Sequence, residues 1–169
     1  MRSAPEEIAL ARYIFLFSEH PLLTYQHIVG RHHKDSMRVL IADDHEVIRR
    51  GVIRVLQSRA DVEECAEATN GKEAVEKALE WKPDLVLLDI RLPVLSGFDA
   101  AREIKQHAPD IPILFFSIHD TSEIVEEARS VGDGFILKDK IVEMLPNAIN
   151  ALLNRQTFFP SDNQAEPNT

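Results

Sequence analysis

The sequence predicts an α/β protein built on a doubly wound, five-stranded parallel sheet. From Met37 onward, five short apolar runs alternate with segments whose apolar residues recur every three or four positions, which is the rhythm of repeated βα units. Several runs, such as VLIA and DLVLL, are apolar at nearly every position, as parallel strands buried on both faces are. Both observations favour a sheet covered by helices on its two faces.

The five strands are expected near residues 38–42, 62–66, 84–88, 111–116 and 134–137. The second run, VEECAEA, places charges between its apolar residues, which is typical of an edge strand. A second strand at the edge fits the flavodoxin-like strand order 2-1-3-4-5.

Each intervening helix is predicted from one apolar face and from signals at its ends. Asn70 and Ser96 are expected to cap the second and third helices, and Ser96 with Asp99 resembles a capping box. Pro146 is tolerated in the fifth helix if that helix starts late, so that the proline falls in the first turn. The apolar faces of the first, second, fourth and fifth helices are formed, in that order, by Val47, Ile48, Val52, Val55 and Leu56, by Ala74, Val75, Ala78 and Leu79, by Ile124, Val125 and Ala128, and by Met144, Leu145, Ala148, Ile149, Leu152 and Leu153.

The predicted domain spans residues 37–155, between an N-terminal extension and a polar tail. Residues 1–36 are either a native appendage or upstream sequence included by a start-site assignment ahead of Met37, and the second alternative is favoured because Met37 opens the first strand directly. Residues 156–169 are expected to be disordered, or packed only in part through Phe158 and Phe159.

Charge and composition exclude several classes of function. Residues 1–36 hold four Lys/Arg and four Asp/Glu, so the formal net charge of −9 belongs to residues 37–169, which disfavours non-specific binding of nucleic acid. A lone cysteine, Cys65, excludes an internal disulfide and predicts a reducing, cytoplasmic location. The apolar stretch from Ile8 to Phe17 is too short to span a membrane, so no membrane association is expected.

Charged and hydroxyl side chains stand where four of the predicted strands end. Asp43 and Asp44 follow the first strand, Asp89 the third, Ser117 the fourth and Lys138 the fifth. Three carboxylates this close repel one another, and Mg²⁺ is the natural cation to relieve them. Phosphoryl transfer needs an in-line nucleophile, a divalent cation and donors to the equatorial oxygens. Asp89 is the candidate nucleophile, and Lys138 and Ser117 are the candidate donors.

Each of these residues also has an ordinary structural explanation when it is taken alone. An Asp-Asp pair after a strand often caps a helix, Lys138 can belong to a solvated turn, and Phe135 can simply be core. Their occurrence in order, each at a strand end, favours one joint site.

The stretches RVLIADDHEVIRRGV, EATNGKEAVEKALEWKPDLVLLDIRLPVLSGFDA, ILFFSIHD and GDGFILKD resemble the receiver domains of two-component response regulators, specifically their NarL/FixJ-like branch. The resemblance implies that Asp89 is the phospho-acceptor. It further implies that Asp44 holds Mg²⁺ directly and Asp43 through water, with Asp89 and the backbone carbonyl of Arg91 completing the metal site.

The resemblance also assigns the residues that respond to phosphorylation. Ser117 stands at the hydroxyl position that closes on the phosphoryl group, Phe135 at the aromatic switch position, and Lys138 at the position that pairs with the acyl phosphate. Pro93 and Gly97 match the loop after the acceptor.

The implied partners are a sensor histidine kinase or a phosphotransfer protein. The signal would leave through a protein surface formed by the fourth helix, fifth strand and fifth helix, by a homodimer or a separate effector. Such a protein is not an enzyme in the usual sense, because it catalyses only its own phosphorylation and dephosphorylation.

Two other functions remain as alternatives. A haloacid-dehalogenase-like phosphohydrolase also passes through phospho-aspartate, but it needs a second aspartate two residues after the nucleophile, where this chain has Arg91. The NarL/FixJ-like branch usually continues into a helix-turn-helix domain that this chain lacks, so the chain can also be the receiver fragment of a DNA-binding regulator.

The sequence departs from the family pattern at two places. Val131 and Gly132 stand where glycine and then alanine are common, so the end of the fourth helix is expected to be reshaped, because valine resists positive φ. Ile118 follows the hydroxyl position, where small side chains leave the acceptor more open.

Overall fold

Five parallel strands form a single sheet in a computed structural model that describes residues 36–160. The predicted extension, except Ser36, and the tail from residue 161 lie outside the described residues. The strands are β1 (Met37–Ala42), β2 (Val62–Ala68), β3 (Leu85–Asp89), β4 (Ile113–Ser117) and β5 (Gly134–Leu137). Their order is β2-β1-β3-β4-β5, which confirms the predicted flavodoxin-like fold.

Helices cover both faces of the sheet. They are α1 (Glu46–Gln57), α2 (Gly71–Trp81), α3 (Gly97–His107), α4 (Ser122–Val131) and α5 (Ile141–Leu153), with a 3₁₀ turn over Lys138–Lys140. Side chains of α2, α3 and α4 pack on one face in a first core, and those of α1 and α5 pack on the other face in a second core. Successive residues of β1 alternate between these cores, as the period of a strand requires. None of the described helices is long and apolar enough to cross a membrane.

Two aspartates fasten the amino edge of the sheet. Asp84, just before β3, accepts a hydrogen bond of 2.9 Å from the backbone N–H of Arg38 in β1. Asp133, just before β5, accepts one of 2.8 Å from the N–H of Ile113 in β4. The N–H of each aspartate donates in return to the carbonyl of the same partner residue. Each carboxylate thus aligns the starts of two neighbouring strands.

The caps of α2 and α3 confirm the prediction from sequence. Asn70 Oδ1 accepts a hydrogen bond from the N–H of Glu73, and Ser96 Oγ accepts one from the N–H of Asp99. These side chains satisfy N–H groups that a helix leaves without partners at its first turn.

Pro146 shows that the predicted late start of α5 was wrong. The helix begins at Ile141, so Pro146 is its sixth residue and lies beyond the first turn. A proline there removes the hydrogen bond to the carbonyl of Val142. Because β5 leads through one 3₁₀ turn directly into α5, and Leu145 and Ile149 are fully buried against the sheet, packing outweighs this loss.

The end of α4 is formed without the positive φ that valine resists. Gly132 ends the helix at φ −133°, in extended backbone, and the positive-φ residues of the described part are Lys82, Val94 and Arg155. The junction therefore requires no positive φ at Val131. Glycine is needed for another reason, since a Cβ at position 132 would lie 2.6 Å from the ring of Phe115.

We expect Glu73→Gln to destabilise the protein by about 1 kcal/mol at neutral pH, the usual size of a capping effect. The Glu73 carboxylate accepts hydrogen bonds from the N–H and hydroxyl of Thr69 and pairs with Lys77 at 2.7 Å. Partial burial opposes the charge, but these partners outweigh it and lower the pKa of Glu73 from 4.5 to about 2.

Because the folded-state pKa is depressed, this stabilisation is complete above pH 4.5 and is lost as the pH falls through about 2. Urea unfolding at pH 7 and at pH 3 checks it, since the gap between wild type and variant should narrow at pH 3. Glu76→Gln, on an exposed position of the same helix, is the control. A gap of equal size at both pH values would contradict the assignment.

Candidate functional site

The candidate site lies at the carboxyl edge of the sheet. Asp43 and Asp44 follow β1, Asp89 ends β3, Ser117 ends β4 and Lys138 follows β5. The strand order sets β1, β3, β4 and β5 side by side, so all of these residues share one edge. In open α/β sheets this edge is where ligands bind.

Lys138 links two of the carboxylates. Its Nζ lies 2.7 Å from Asp43 Oδ2 and donates a hydrogen bond of 2.8 Å to Asp89 Oδ2. The side chain of Asp43 is fully buried and that of Lys138 is 11% exposed. One ammonium therefore lies between two buried carboxylates, and the three groups form a compact charged cluster.

Burial and pairing act in opposite directions on this cluster. Burial raises the pKa of Asp89 above its usual value, and the neighbouring charge of Asp43 adds to it, although hydrogen bonds from Lys138 and from the backbone of Arg91 work to lower it. Burial alone would lower the pKa of Lys138, but its two carboxylate partners raise it instead. The ammonium therefore stays charged at neutral pH.

One of the two carboxylate oxygens of Asp43 makes no hydrogen bond to the described residues. Its Oδ1 accepts a hydrogen bond of 2.8 Å from the N–H of His45. Its Oδ2, although close to the ammonium, has no hydrogen-bond partner of suitable geometry among the described residues. A buried carboxylate oxygen in this condition fits a hard cation such as Mg²⁺, which needs an oxygen ligand and no donor angle.

Asp44 and His45 lie at the mouth of the site. Asp44 Oδ1 is 2.6 Å from Nδ1 of His45, whose side chain is 68% exposed. Donor atoms of Asp43, Asp44 and His45 all lie within 4.8 Å of one another. Sequence reasoning missed His45, although it directly follows the aspartate pair and its carbonyl accepts the first hydrogen bonds of α1.

Arg49 is a second residue that the sequence did not reveal. Its guanidinium donates 2.9 Å to the backbone carbonyl of Asp43 and 2.7 Å to Glu67 of β2. Arg49 is buried, so this contact fixes the backbone that carries Asp43. The only signal was a charged residue next to the apolar face of α1.

The remaining predicted residues lie nearby without joining the cluster. Ser117 is buried, and its Oγ accepts a hydrogen bond of 3.1 Å from the N–H of His119; no hydrogen bond among the described residues joins it to Asp89. Phe135 is fully buried in the first core. The backbone of Arg91 hydrogen-bonds to the Asp89 carboxylate, and the role of its carbonyl stays a prediction.

A tight loop follows Asp89 and fixes its backbone. The N–H of Gly97 donates 2.9 Å to the carbonyl of Ile90, and a Cβ on Gly97 would lie only 2.0 Å from the backbone oxygen of Asp89. Val94, in the same loop, has φ 69°, which is uncommon for a β-branched residue. Asp89 thus precedes a closely packed, locally strained turn.

Comparison with known proteins decides the family. Residues 39–150 match the model of the response regulator receiver domain. The chain belongs to this family. The receiver is 32% identical over 131 residues to the transcriptional regulatory protein LnrK of Bacillus subtilis, covering 77% of this chain and 60% of LnrK. It is 35% identical over 127 residues to the uncharacterized transcriptional regulatory protein YxjL of the same organism, covering 75% of this chain and 58% of YxjL.

Solved structures agree with this assignment. A LuxR-family two-component response regulator from Aurantimonas superposes on the receiver with a TM-score of 0.71 at 30% identity, over 77% of this chain and 93% of that chain. The receiver domain of NarL from Mycobacterium tuberculosis gives 0.61 at 32% identity, over 69% and 98%. The predicted resemblance to the NarL/FixJ-like branch is confirmed. The chain spans 51–61% of the length of the curated relatives that it matches first.

Proposed function

We propose that this receiver accepts a phosphoryl group on Asp89 from a histidine kinase or a phosphotransfer protein, in a Mg²⁺-dependent reaction. The observation that carries the proposal is the buried cluster in which Lys138 bridges Asp43 and Asp89 at 2.7 and 2.8 Å. A structural ion pair needs one carboxylate, whereas two that share one ammonium leave negative charge for a further cation. We also propose the same domain boundaries as the sequence predicts: a receiver at residues 37–155, an extension before it and a tail after it.

The chemistry follows from the acceptor and its neighbours. A carboxylate oxygen of Asp89 attacks the phosphorus of a phosphohistidine, the P–N bond breaks, and an acyl phosphate forms. Mg²⁺, held by Asp43, Asp44, Asp89 and the carbonyl of Arg91, would supply positive charge to the phosphoryl oxygens. Lys138, at the end of β5, supplies a second positive charge, because its ammonium already contacts Asp89.

Ser117 and Phe135 connect the acceptor to the protein surface in this proposal. The hydroxyl of Ser117 accepts a local bond from His119, and it is free to donate to a phosphoryl oxygen once Asp89 is modified. Phe135 lies in β5, three residues before Lys138. The output surface is then formed by α4, β5 and α5, which a second copy or an effector would contact.

Phosphorylation with acetyl phosphate and Mg²⁺, followed by intact mass, tests the proposal. We expect one phosphoryl adduct on the wild-type chain and none on Asp89→Asn, because the amide lacks the nucleophilic oxygen. Asp120→Asn removes the same charge from an exposed position near the site and should keep the adduct. An adduct of unchanged stoichiometry on Asp89→Asn would refute the assignment of the acceptor.

A second prediction concerns the metal. We expect Mg²⁺ to raise the melting temperature of the wild-type protein, and Asp44→Ala to lose this response while gaining stability without metal, because one of three mutually repelling carboxylates is gone. Thermal melts with and without Mg²⁺ measure both effects. Asp139→Ala, on an exposed residue beside Lys138, should respond to Mg²⁺ as the wild type does. A preserved response in Asp44→Ala would remove Asp44 from the metal site.

The proposed receiver acts in the cytoplasm on protein partners and does not turn over external phosphate esters. Arg91 stands two residues after Asp89, where a phosphohydrolase would need a carboxylic acid. Contact with nucleic acid or membrane is not part of this function.

A second candidate is the receiver portion of a DNA-binding transcriptional regulator. This candidate is supported by the names of LnrK and DegU, which are transcriptional regulatory proteins, and by the shares of 60% and 51% of their lengths that the chain spans. Both candidates share the chemistry at Asp89. They differ in output, and a coding sequence that continues past Thr169 into a helix-turn-helix segment would favour the second.

A further inference from the structure

After α5 the start of the tail packs against the receiver. Residues 154–156 reverse its direction, with Arg155 at φ 58°, and residues 157–160 then lie along the free edge of β5. We call residues 157–160 the strap. The N–H of Phe158 donates 2.9 Å to the carbonyl of Asp133, and the N–H of Phe135 donates 2.7 Å to the carbonyl of Phe158. The strap therefore pairs in parallel with β5 as a one-bridge edge strand.

The side chains of the strap contact both faces of the sheet. Phe158 packs against the second core, and Phe159 packs against the first core. This alternation is that of a strand. The strap thus closes both cores at an edge that would otherwise expose unpaired backbone groups.

Arg129 ties the strap to α4. Its guanidinium lies 4.7 Å from the ring centroid of Phe159 and donates 3.0 Å to the carbonyl of Pro160. The strap is therefore held by β5 through its backbone and by α4 through Arg129. Any conformation in which α4 moves relative to β5 loses some of these contacts.

The strap is also linked to the acceptor through β5. Phe135, whose N–H it binds, precedes Lys138 by three residues, and Lys138 contacts Asp89. Two backbone hydrogen bonds, two partly buried rings and the contacts of Arg129 hold the strap, and an attachment of this size can open locally without unfolding of the domain.

We propose that the strap is an autoinhibitory brake on the receiver: it stabilises the unmodified arrangement of α4 and β5, and it detaches when Asp89 is phosphorylated. The inference rests on the proposed function. A modification shifts a conformational equilibrium only by the difference in its free energy between the two states. Contacts made only in the unmodified state raise the threshold for switching.

Amide hydrogen exchange on the full chain tests the brake. Beryllofluoride with Mg²⁺ serves as the probe, because it mimics an acyl phosphate without covalent turnover. At saturation we expect the N–H groups of Phe135 and Phe158 to exchange about tenfold faster, as bonds released by local opening do. Amides in the centre of β3 should be unchanged.

Variants of the strap test its energetic role. Arg129→Gln and Phe159→Ala should each lower the half-saturating concentration of beryllofluoride about fivefold, because the lost cation–π and packing contacts favoured the unmodified state. Arg54→Gln, which removes the same charge from an exposed position of α1, should leave that concentration unchanged. Arg129→Gln removes no apolar core side chain, so its half-saturating concentration of beryllofluoride remains measurable even where Phe159→Ala compromises folding.

The outcomes separate the brake from the proposed function. If acetyl phosphate modifies Asp89 but the two strap amides stay protected and both variants titrate like the wild type, the brake is refuted and the acceptor stands. If Asp89 takes no phosphoryl group under any condition, both proposals fall together.

Discussion

Replacement of Lys138 by alanine is expected to lower the free energy of unfolding by about 3 kcal/mol at neutral pH without Mg²⁺, the usual cost of removing one partner of a buried ion pair. The ammonium is the shared counter-charge of Asp43 and Asp89, and both carboxylates are buried. Its loss leaves two like charges facing each other across adjacent strand ends.

The pH dependence of this variant follows from the same contacts. Without Lys138, the folded-state pKa of Asp89, already raised by burial, rises further above 3.8, since the hydrogen bond that lowers it is gone. A raised carboxyl pKa destabilises the folded state at pH values above the unfolded-state pKa, so the deficit that comes from Asp89 should be largest at neutral pH, shrink as the pH falls through the raised folded-state pKa, and be nearly gone at about pH 4. Mg²⁺ should restore part of the stability at neutral pH.

Chemical denaturation at pH 7 and pH 4, with and without Mg²⁺, measures these effects. Lys140→Ala, on an exposed residue of the same 3₁₀ turn, is the matched control and should change stability by less than about 0.5 kcal/mol. The account fails if Lys138→Ala is as stable as Lys140→Ala at neutral pH.

Gly97→Ala is expected to destabilise the protein by about 3 kcal/mol, at the upper end of overpacking effects. The added Cβ would lie 2.0 Å from the backbone oxygen of Asp89 and 2.8 Å from the Cα of Ile90. Both neighbours are backbone atoms, which cannot rotate away as a side chain can. The backbone that carries the acceptor must therefore shift, so the yield of phosphoryl adduct should fall as well.

Gly51→Ala offers a matched control within the same chain. Gly51 lies in α1, and a Cβ there would meet nothing within 4 Å. Alanine should stabilise that helix by about 0.5–1 kcal/mol, because glycine loses more backbone entropy on folding. Thermal melts of the two variants should shift in opposite directions, and equal shifts of the same sign would contradict the steric argument.

Strand positions and their order were predictable because they depend on local pattern. Apolar runs such as DLVLLD identify buried parallel strands without knowledge of their neighbours, and charges in VEECAEA identify the edge. The position of Pro146 was not predictable in this way. Whether a helix tolerates an interior proline depends on how much apolar surface it buries against the sheet, which is a property of the tertiary structure.

The candidate site was likewise predictable in part, where it depends on the ends of the strands. Aspartates and a lysine at strand ends converge because parallel strands point the same way, so Asp43, Asp89 and Lys138 could be grouped from sequence. Arg49 could not, since its contact with the Asp43 carbonyl depends on the packing angle of α1. Partial packing of the tail through Phe158 and Phe159 was one of the two alternatives from the sequence, but the reversal of the chain after α5 that brings these rings to β5 was not predictable from a polar, proline-containing segment.

The end of a strand at which an aspartate stands indicates the role of that aspartate. Asp84 and Asp133 precede strands and bind backbone N–H groups of a neighbouring strand, whereas Asp43 and Asp89 stand at the far ends and face other charges. Aspartate thus joins neighbouring strands at the amino edge, whereas at the carboxyl edge it carries the proposed chemistry. A designer who transplants this chemistry into another parallel sheet should therefore keep aspartates of the first kind with the scaffold and move only those of the second.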